Sequence, residues 1–219
     1  MNSNYKVTKF RSNNSKEVND QISIEEPLEI ILKYKDKENW IENTISITMR
    51  TPGDDENLVT GFLFNERVIE KISHIENIEA SGDPVGQYKL QNKVIITINN
   101  SENVDINKIK RNFLTNSSCG VCGKTSLESL EIIKKDKILK SIPKITHEII
   151  MKSPDILRQN QSEFSKTGGI HASGLFNTSG KIIALKEDVG RHNALDKLIG
   201  YVLKENLLDN SSQFLTCSG

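Results

Sequence analysis

Cysteine is nearly absent from this chain, with three in 219 residues, an odd number. That argues against a disulfide framework and reads as a reduced, cytoplasmic protein. Neither sign of charge is in surplus, since 29 lysines and arginines face 29 aspartates and glutamates. The balance removes the electrostatic case for nucleic acid or an anionic membrane surface as partner. Long hydrophobic runs are missing too: every apolar stretch is short and broken by charge, which argues against a membrane span. The first twenty residues, MNSNYKVTKFRSNNSKEVND, lack the apolar core of a secretory signal and read as a mobile polar tail. There is no internal repeat, and no low-complexity segment beyond that tail. The length suffices for one large domain or two small ones.

What is present falls into two halves. In the first, EEPLEIILKYK reads as an extended segment starting after Pro27. NTISITMR alternates, which predicts a half-buried strand with Ile45, Ile47 and Met49 on one face. TPGDD is a turn in which Asp54 can cap a helix running through ENLVTGFLFNERVI. The region from Ile75 to Asn99 reads as a strand hairpin. In the second half, SPDILRQNQSEF predicts a helix with Ser153 as N-cap and Pro154 at its first position. IHASGLF and KIIALKE read as strands joined by the turn NTSG, and NALDKLIGYVLKENLL carries a helical stripe of Leu195, Leu198, Ile199, Val202 and Leu203. QFLTC is a further strand. This order predicts an α/β layer with helices packed on a sheet, in a chain that is α+β overall. The expected division is a tail over 1–20, a β-rich unit over 21–110 and an α/β unit over 111–219.

Three clusters carry chemistry. Cys119 and Cys122 form a C-x-x-C in NSSCGVCGKTSLESL, ahead of a T-x-x-E capping box at Thr125 and Glu128. Flanking glycines, helix-start amides and Lys124 are the conditions for a stabilised thiolate. Four readings compete for this pair: a zinc site with its remaining ligands drawn from Cys217, His171 and His192, a redox pair, a sulfur carrier, and incidental cysteines. The second cluster, TGGIHASGLFN, offers Gly168 and Gly169 for close backbone approach to a ligand, and His171 for hydrogen bonding, proton shuttling or metal. A tight turn and a packed histidine at a strand start are equally compatible. The third, EDVGRHNALDK, crowds Glu187, Asp188, Arg191, His192, Asn193, Asp196 and Lys197 into a strand-to-helix turn, where α/β proteins place ligands and where a helix start favours anions. Arg191 suits a phosphate and Asp188 a purine edge or ribose. The alternative is a capped, solvated helix start; the crowding of polar groups favours a site.

Taken together, ISITMRTPGDDENLVTGFLFNERVI, SSCGVCGKTSLESL, TGGIHASGLFN and EDVGRHNALDKLIG resemble the formate dehydrogenase accessory sulfurtransferase family, FdhD, in order and spacing, from about Ile22 to the end. The resemblance implies a sulfurtransferase. Such a protein takes sulfur from a cysteine desulfurase as a persulfide and passes it to the molybdenum cofactor, bis(molybdopterin guanine dinucleotide), used by formate dehydrogenase. A cofactor-binding chaperone without sulfur transfer is the alternative. The resemblance also implies a cytidine-deaminase-like fold for the second half, a smaller β-rich first half and a homodimer. It makes Cys119 and Cys122 the persulfide pair, with Cys119 expected as carrier because it lies farther from the helix anchor. Gly168, Gly169, His171, Asp188, Arg191 and His192 become the cofactor-binding set, with GDP as a mimic of the cofactor's nucleotide ends. Zinc deaminases require H-x-E followed by P-C-x-x-C. Here Ser173 stands two residues after His171 and the C-x-x-C comes first, so neither zinc nor deamination is expected.

One departure is visible. Family members continue for some tens of residues beyond the point where this chain stops, FLTCSG, and the further segment is thought to help hold the guanine nucleotide. A truncated C-terminus is the reading, with lower stability and weaker cofactor binding expected. Cys217 has no counterpart in the family pattern and is expected to be a small buried residue of the last strand, alkylating more slowly than Cys119 or Cys122. The acting thiol attacks as the thiolate, so sulfur loading is expected to accelerate with pH through that thiol's pKa, with a midpoint below the free-cysteine value of about 8.5. Loading rates across pH check this; a midpoint at or above that value would mean that the surrounding sequence does nothing to activate the thiol.

Overall fold

In the strand Glu26–Asp36 (β3), Leu28, Ile30, Leu32 and Tyr34 alternate with Glu29, Lys33 and Lys35, and all four of the former are buried. This is the centre of the first half. The structure, a computed structural model, describes residues 2–12, 14–99, 144–208 and 212–218. Cys119, Cys122, the capping box at Thr125 and the boundary near residue 110 lie outside these residues. Around β3 the four-stranded sheet runs β4 (Asn39–Arg50), β3, β6 (Lys93–Ile98), β5 (Ile75–Ser81). The pair β3–β6 is parallel, and its crossover contains helix α1 (Asp55–Asn65). The expected hairpin over 75–99 is β5 with β6. Leu58, Val59 and Leu63 of α1 pack with Ile30, Leu32, Val94, Ile96 and Ile98 into one core.

Among the described residues, the second half has a three-stranded sheet in the order β8 (Ile182–Asp188), β7 (His171–Asn177), β9 (Gln213–Cys217), all antiparallel. Helix α4 (Arg191–Lys204) covers one face through Leu198 and Val202 against Leu175 and Ala184. Helix α2 (His147–Asn160) covers the other through Leu157 against Ala172 and Phe176. Central β7 is therefore buried on both sides, and Ala172 to Phe176 are buried without a break. The whole is a mixed α+β fold, as the element pattern predicts.

The halves meet where α1 crosses α4. A Cβ placed on Gly61 would stand 1.9 Å from the Asp196 carbonyl oxygen, and one on Gly200 would stand 1.9 Å from the Asn57 carbonyl oxygen. Two glycines therefore let the backbones touch. Sandwiched between the first sheet and α4, α1 is buried on both sides, at Asn57 and Gly61 as well as Leu58 and Leu63.

Five readings from the sequence change. Residues 1–20 are not a tail: β1 (Asn2–Arg11) and β2 (Asn14–Ser23) form a hairpin. Val7 pairs with Val18 across it, and Ser12 turns the chain with φ 51. Its base is tied to α3 (Ser162–Thr167) by Asn2 Nδ2 donating to Glu163 Oε2 at 3.0 Å and Ser23 Oγ donating to Thr167 Oγ1 at 2.8 Å. In β4 the register shifts opposite Ile30 and Ile31, making Ile45 a bulge residue. Beyond it the faces exchange, so Ile47 and Met49 point to solvent (56% and 47% exposed) while Arg50 is buried. Asp54 occupies the N-cap position of α1 without capping it, because its φ of 60 turns the side chain toward Asn57 Nδ2 and Lys186 Nζ. Helix α2 starts at His147, well before Ser153. Pro154 sits inside it, and Ser153 Oγ donates to Ile150 O at 2.9 Å, satisfying the carbonyl that a proline cannot serve. Finally, Cys217 is exposed. It shares with Leu215 the exposed side of β9, where its Sγ accepts Ser173 Oγ at 3.3 Å, while Thr216 on the other face donates to Ser153 at 3.0 Å. The slower alkylation expected of Cys217 thus loses its premise.

Gly61→Ala or Gly200→Ala is expected to lower stability by roughly 2–4 kcal/mol, because the added carbon meets backbone and not a yielding side chain. Denaturant midpoints of the two variants check this, and an unchanged midpoint would show that the helices separate freely.

Candidate functional site

Strand β7 begins at His171 and β8 ends at Asp188, and these two residues pair directly. The antiparallel register therefore brings two sequence clusters, TGGIH and EDVGRH, to one end of the sheet. On one bank, Gly168 (φ 67) ends α3 in the left-handed region and donates its N–H to Phe164 O at 2.8 Å. That is the tight-turn role, and a Cβ there would meet nothing within 4 Å. Gly169 follows, then half-buried His171. On the other bank, α4 starts at Arg191 after Gly190, and no side chain caps it. Arg191 and His192 are exposed. Among the described residues, no side chain hydrogen-bonds or ion-pairs with His171, Arg191 or His192.

Asp188 is different. Its side chain is fully buried and all its accepting capacity is engaged within the protein. Oδ1 accepts the Gly190 N–H at 2.9 Å and Asn193 Nδ2 at 3.2 Å. Oδ2 accepts the Thr51 N–H at 3.1 Å and lies 2.7 Å from Lys197 Nζ. A carboxylate so placed holds a turn together and is closed to a purine or ribose, so the contact anticipated for it from sequence is not available. Lys197, 2% exposed, also donates to Thr51 O at 2.7 Å. Removing either member of this pair is expected to leave an uncompensated buried charge.

The neighbouring carboxylate points the opposite way. Glu187 Oε1 accepts the Phe164 N–H at 2.9 Å, and Oε2 accepts the Glu163 N–H at 3.0 Å and Ser162 Oγ at 3.3 Å. It thereby caps the start of α3 and complements its dipole. Asp196 faces α1, accepting Asn65 Nδ2 at 2.6 Å. Burial, aided by the negative charges of Glu66 and Asp188, pushes its carboxyl up to about 7. Of the seven polar residues in EDVGRHNALDK, only Arg191 and His192 are left to meet a ligand.

Read from sequence, Thr48, Met49, Arg50 and Thr51 have no part in a site. Thr48 Oγ1 donates to Asn193 Oδ1 at 3.1 Å, and Asn193 Nδ2 donates to Met49 O at 2.8 Å. Thr51 Oγ1 accepts the Val189 N–H at 3.1 Å. Arg50 turns the other way, with Nε and Nη2 on the two oxygens of Asp55 at 2.9 and 3.0 Å and Nη2 also on Asn92 Oδ1 at 3.2 Å. A charged residue alternating with threonines at a strand end was the one available signal, and the bulge hid its direction.

The FdhD/NarQ family model matches residues 23–219. The chain belongs to the FdhD/NarQ family. It is 43% identical over 202 residues to the sulfur carrier protein FdhD of Picrophilus torridus, spanning 92% of this chain and 71% of that protein. It is 37% identical over 214 residues to the sulfur carrier protein FdhD of Sulfurisphaera tokodaii, spanning 98% of this chain and 75% of the relative. A crystal structure of a candidate formate dehydrogenase accessory protein from Desulfotalea psychrophila superposes with a TM-score of 0.65 at 23% identity, over 100% of this chain and 74% of that one. The family resemblance drawn from the sequence blocks is thus borne out, and the solved structure shares the fold. Among the described residues no helix is long and apolar enough to cross a membrane, and no three His, Cys, Asp or Glu side chains converge as metal ligands.

An acid kept protonated by the fold contributes stability fully below its unfolded pKa of about 4, and that contribution is lost as pH rises through about 7 for Asp196. Asp196→Asn keeps an acceptor for Asn65 without the charge. It is expected to match the wild type near pH 4 and to exceed it by about 1–2 kcal/mol at pH 8, the full shift being discounted for the water that reaches this half-buried group. Urea denaturation at both pH values measures the difference; equal stability at pH 8 would remove Asp196 from the stability balance.

Proposed function

We propose that this chain carries sulfur as a persulfide on the C-x-x-C, with Cys119 the carrier, from a cysteine desulfurase to bis(molybdopterin guanine dinucleotide) destined for formate dehydrogenase. The observation that carries the reading is the match of residues 23–219, both cysteines among them, to a family whose curated relatives are named sulfur carrier proteins. Loading is a displacement at sulfur. A cysteine thiolate attacks the outer sulfur of the donor's persulfide, a new S–S bond forms, the donor's S–S bond breaks and its thiolate leaves, with no net oxidation. The cofactor is cargo here, and the protein's task toward it is capture.

Support for capture comes from the end of the sheet formed by β7 and β8. Arg191 offers a planar fork to a phosphate, His192 and His171 stand nearby in sequence and register, and the uncapped start of α4 favours an anion. At Gly168 and Gly169 the opposite bank carries no side chain. The same reading makes the protein a cytoplasmic homodimer. In it Asp188 contributes by fixing the turn that presents Arg191 and His192.

Mass spectrometry after incubation with a cysteine desulfurase and cysteine is expected to find one added sulfur on Cys119 or Cys122. No added sulfur, or formate dehydrogenase activation that survives Cys119→Ala and Cys122→Ala, would sink sulfur transfer and leave the chaperone reading. In calorimetry GDP is expected to bind, and Arg191→Ala to weaken it by about tenfold, the loss of a charge-assisted contact, while loading of the thiols persists. Equal affinity in both proteins would remove Arg191 from the site.

A further inference from the structure

Strand β4 ends at Arg50 in the first half, and Thr48, Met49 and Thr51, at and just past that end, hydrogen-bond to the turn 188–193 and to helix α4 of the second half. Thr51 commits all three of its polar groups there: its N–H donates to Asp188 Oδ2 at 3.1 Å, its carbonyl accepts Lys197 Nζ at 2.7 Å, and its Oγ1 accepts the Val189 N–H at 3.1 Å. The threonine is buried. Just upstream, Thr48 and the Met49 carbonyl hold the Asn193 amide from both ends. The side chain between Met49 and Thr51, Arg50, reaches into the first half, where Asp55, Asn92 and the carbonyls of Glu26 and Pro27 fix it. The segment is therefore anchored on one side and grips on the other. Arg191 and His192 follow in the same stretch, and their side chains make no hydrogen bond or ion pair with the described residues.

We propose that Thr51 is a positioning residue for the candidate nucleotide site: its hydroxyl fixes the Val189 amide and so sets where the Arg191 guanidinium and His192 imidazole stand. The inference rests on the nucleotide reading of that site. A phosphate contact of the fork type needs its donors within a fraction of an ångström, and two exposed side chains on a helix start inherit their place from the backbone beneath them. That backbone leaves the sheet at Asp188 and enters α4 at Arg191. Thr51 meets it between the two, at Val189, from a strand end that belongs to the other half of the protein.

Thr51→Val keeps the shape and both backbone contacts but removes the acceptor for the Val189 N–H; Thr51→Ser restores it. Two measurements are made on all three full-length proteins below their unfolding temperatures: GDP affinity by calorimetry, and amide hydrogen exchange over Val189–Asn193. Thr51→Val is expected to bind GDP about tenfold more weakly and to exchange faster over that segment, and Thr51→Ser to return both to the wild-type values. A purely structural threonine would lower the melting temperature of Thr51→Val and leave the GDP affinity of the folded protein unchanged; that result overturns the proposal. If the wild type binds no GDP, the nucleotide reading fails instead, and exchange alone then decides whether the hydroxyl holds the turn. Equal exchange in wild type and Thr51→Val overturns that as well.

Discussion

Two helix backbones meet at the junction of the two halves. Where α1 crosses α4, the Cα of Gly61 lies against the Asp196 carbonyl and that of Gly200 against the Asn57 carbonyl, with no side chain between. Helices with ordinary residues at their contact stand about 8–10 Å apart, and glycines allow less. That spacing sets how far the first-half sheet sits from the second. It is why a strand end at residues 48–51 falls within hydrogen-bond reach of the turn 188–193. Bulky residues at the crossing would move the halves apart and draw Thr51 away from Val189 and Lys197.

Across this junction the protein accepts an electrostatic cost. Asp188 and Lys197 are almost wholly shielded from water, and a buried pair of this kind is seldom more stabilising than well-packed apolar residues of similar volume. What it supplies is direction. The Asp188 carboxylate takes donors from four residues, Thr51, Gly190, Asn193 and Lys197, and each must lie in its own place for the group to be satisfied. Apolar packing tolerates small slippage, whereas this network does not. The turn that presents Arg191 and His192 is thereby specified in a way that a hydrophobic contact would not specify it.

Much of the second half was legible because its signals are local. Alternating apolar residues flanking NTSG give an antiparallel pair, and the stripe through NALDKLIGYVLK gives a helix, so the meeting of His171 with Asp188 follows from strand direction alone. Other features depend on partners that no short window contains. The bulge at Ile45 inserts one residue, which reverses every face after it and turns Arg50 inward. Pro154 reads as a helix start unless Ser153 is known to serve the carbonyl it strands. The first twenty residues carry too little apolar surface to announce strands, and it is the docking of their base on α3 that holds them. Asp188 looked like a ligand contact because sequence shows a cluster of polar groups but not which of them already face one another.

Glu187 and Asp188 are consecutive, and a strand sends consecutive side chains to opposite faces. One carboxylate seizes the start of α3, the helix that ends at Gly168; the other seizes the turn that opens α4 at Arg191. Both banks of the candidate site are thus indexed to a single dipeptide. A slip of β8 by one residue against β7 would exchange the two faces, take the cap from α3 and the keystone from the α4 turn together, and bury a glutamate where an aspartate fits. Strand register in this protein is therefore also the alignment of its site: a slip of β8 displaces both walls together.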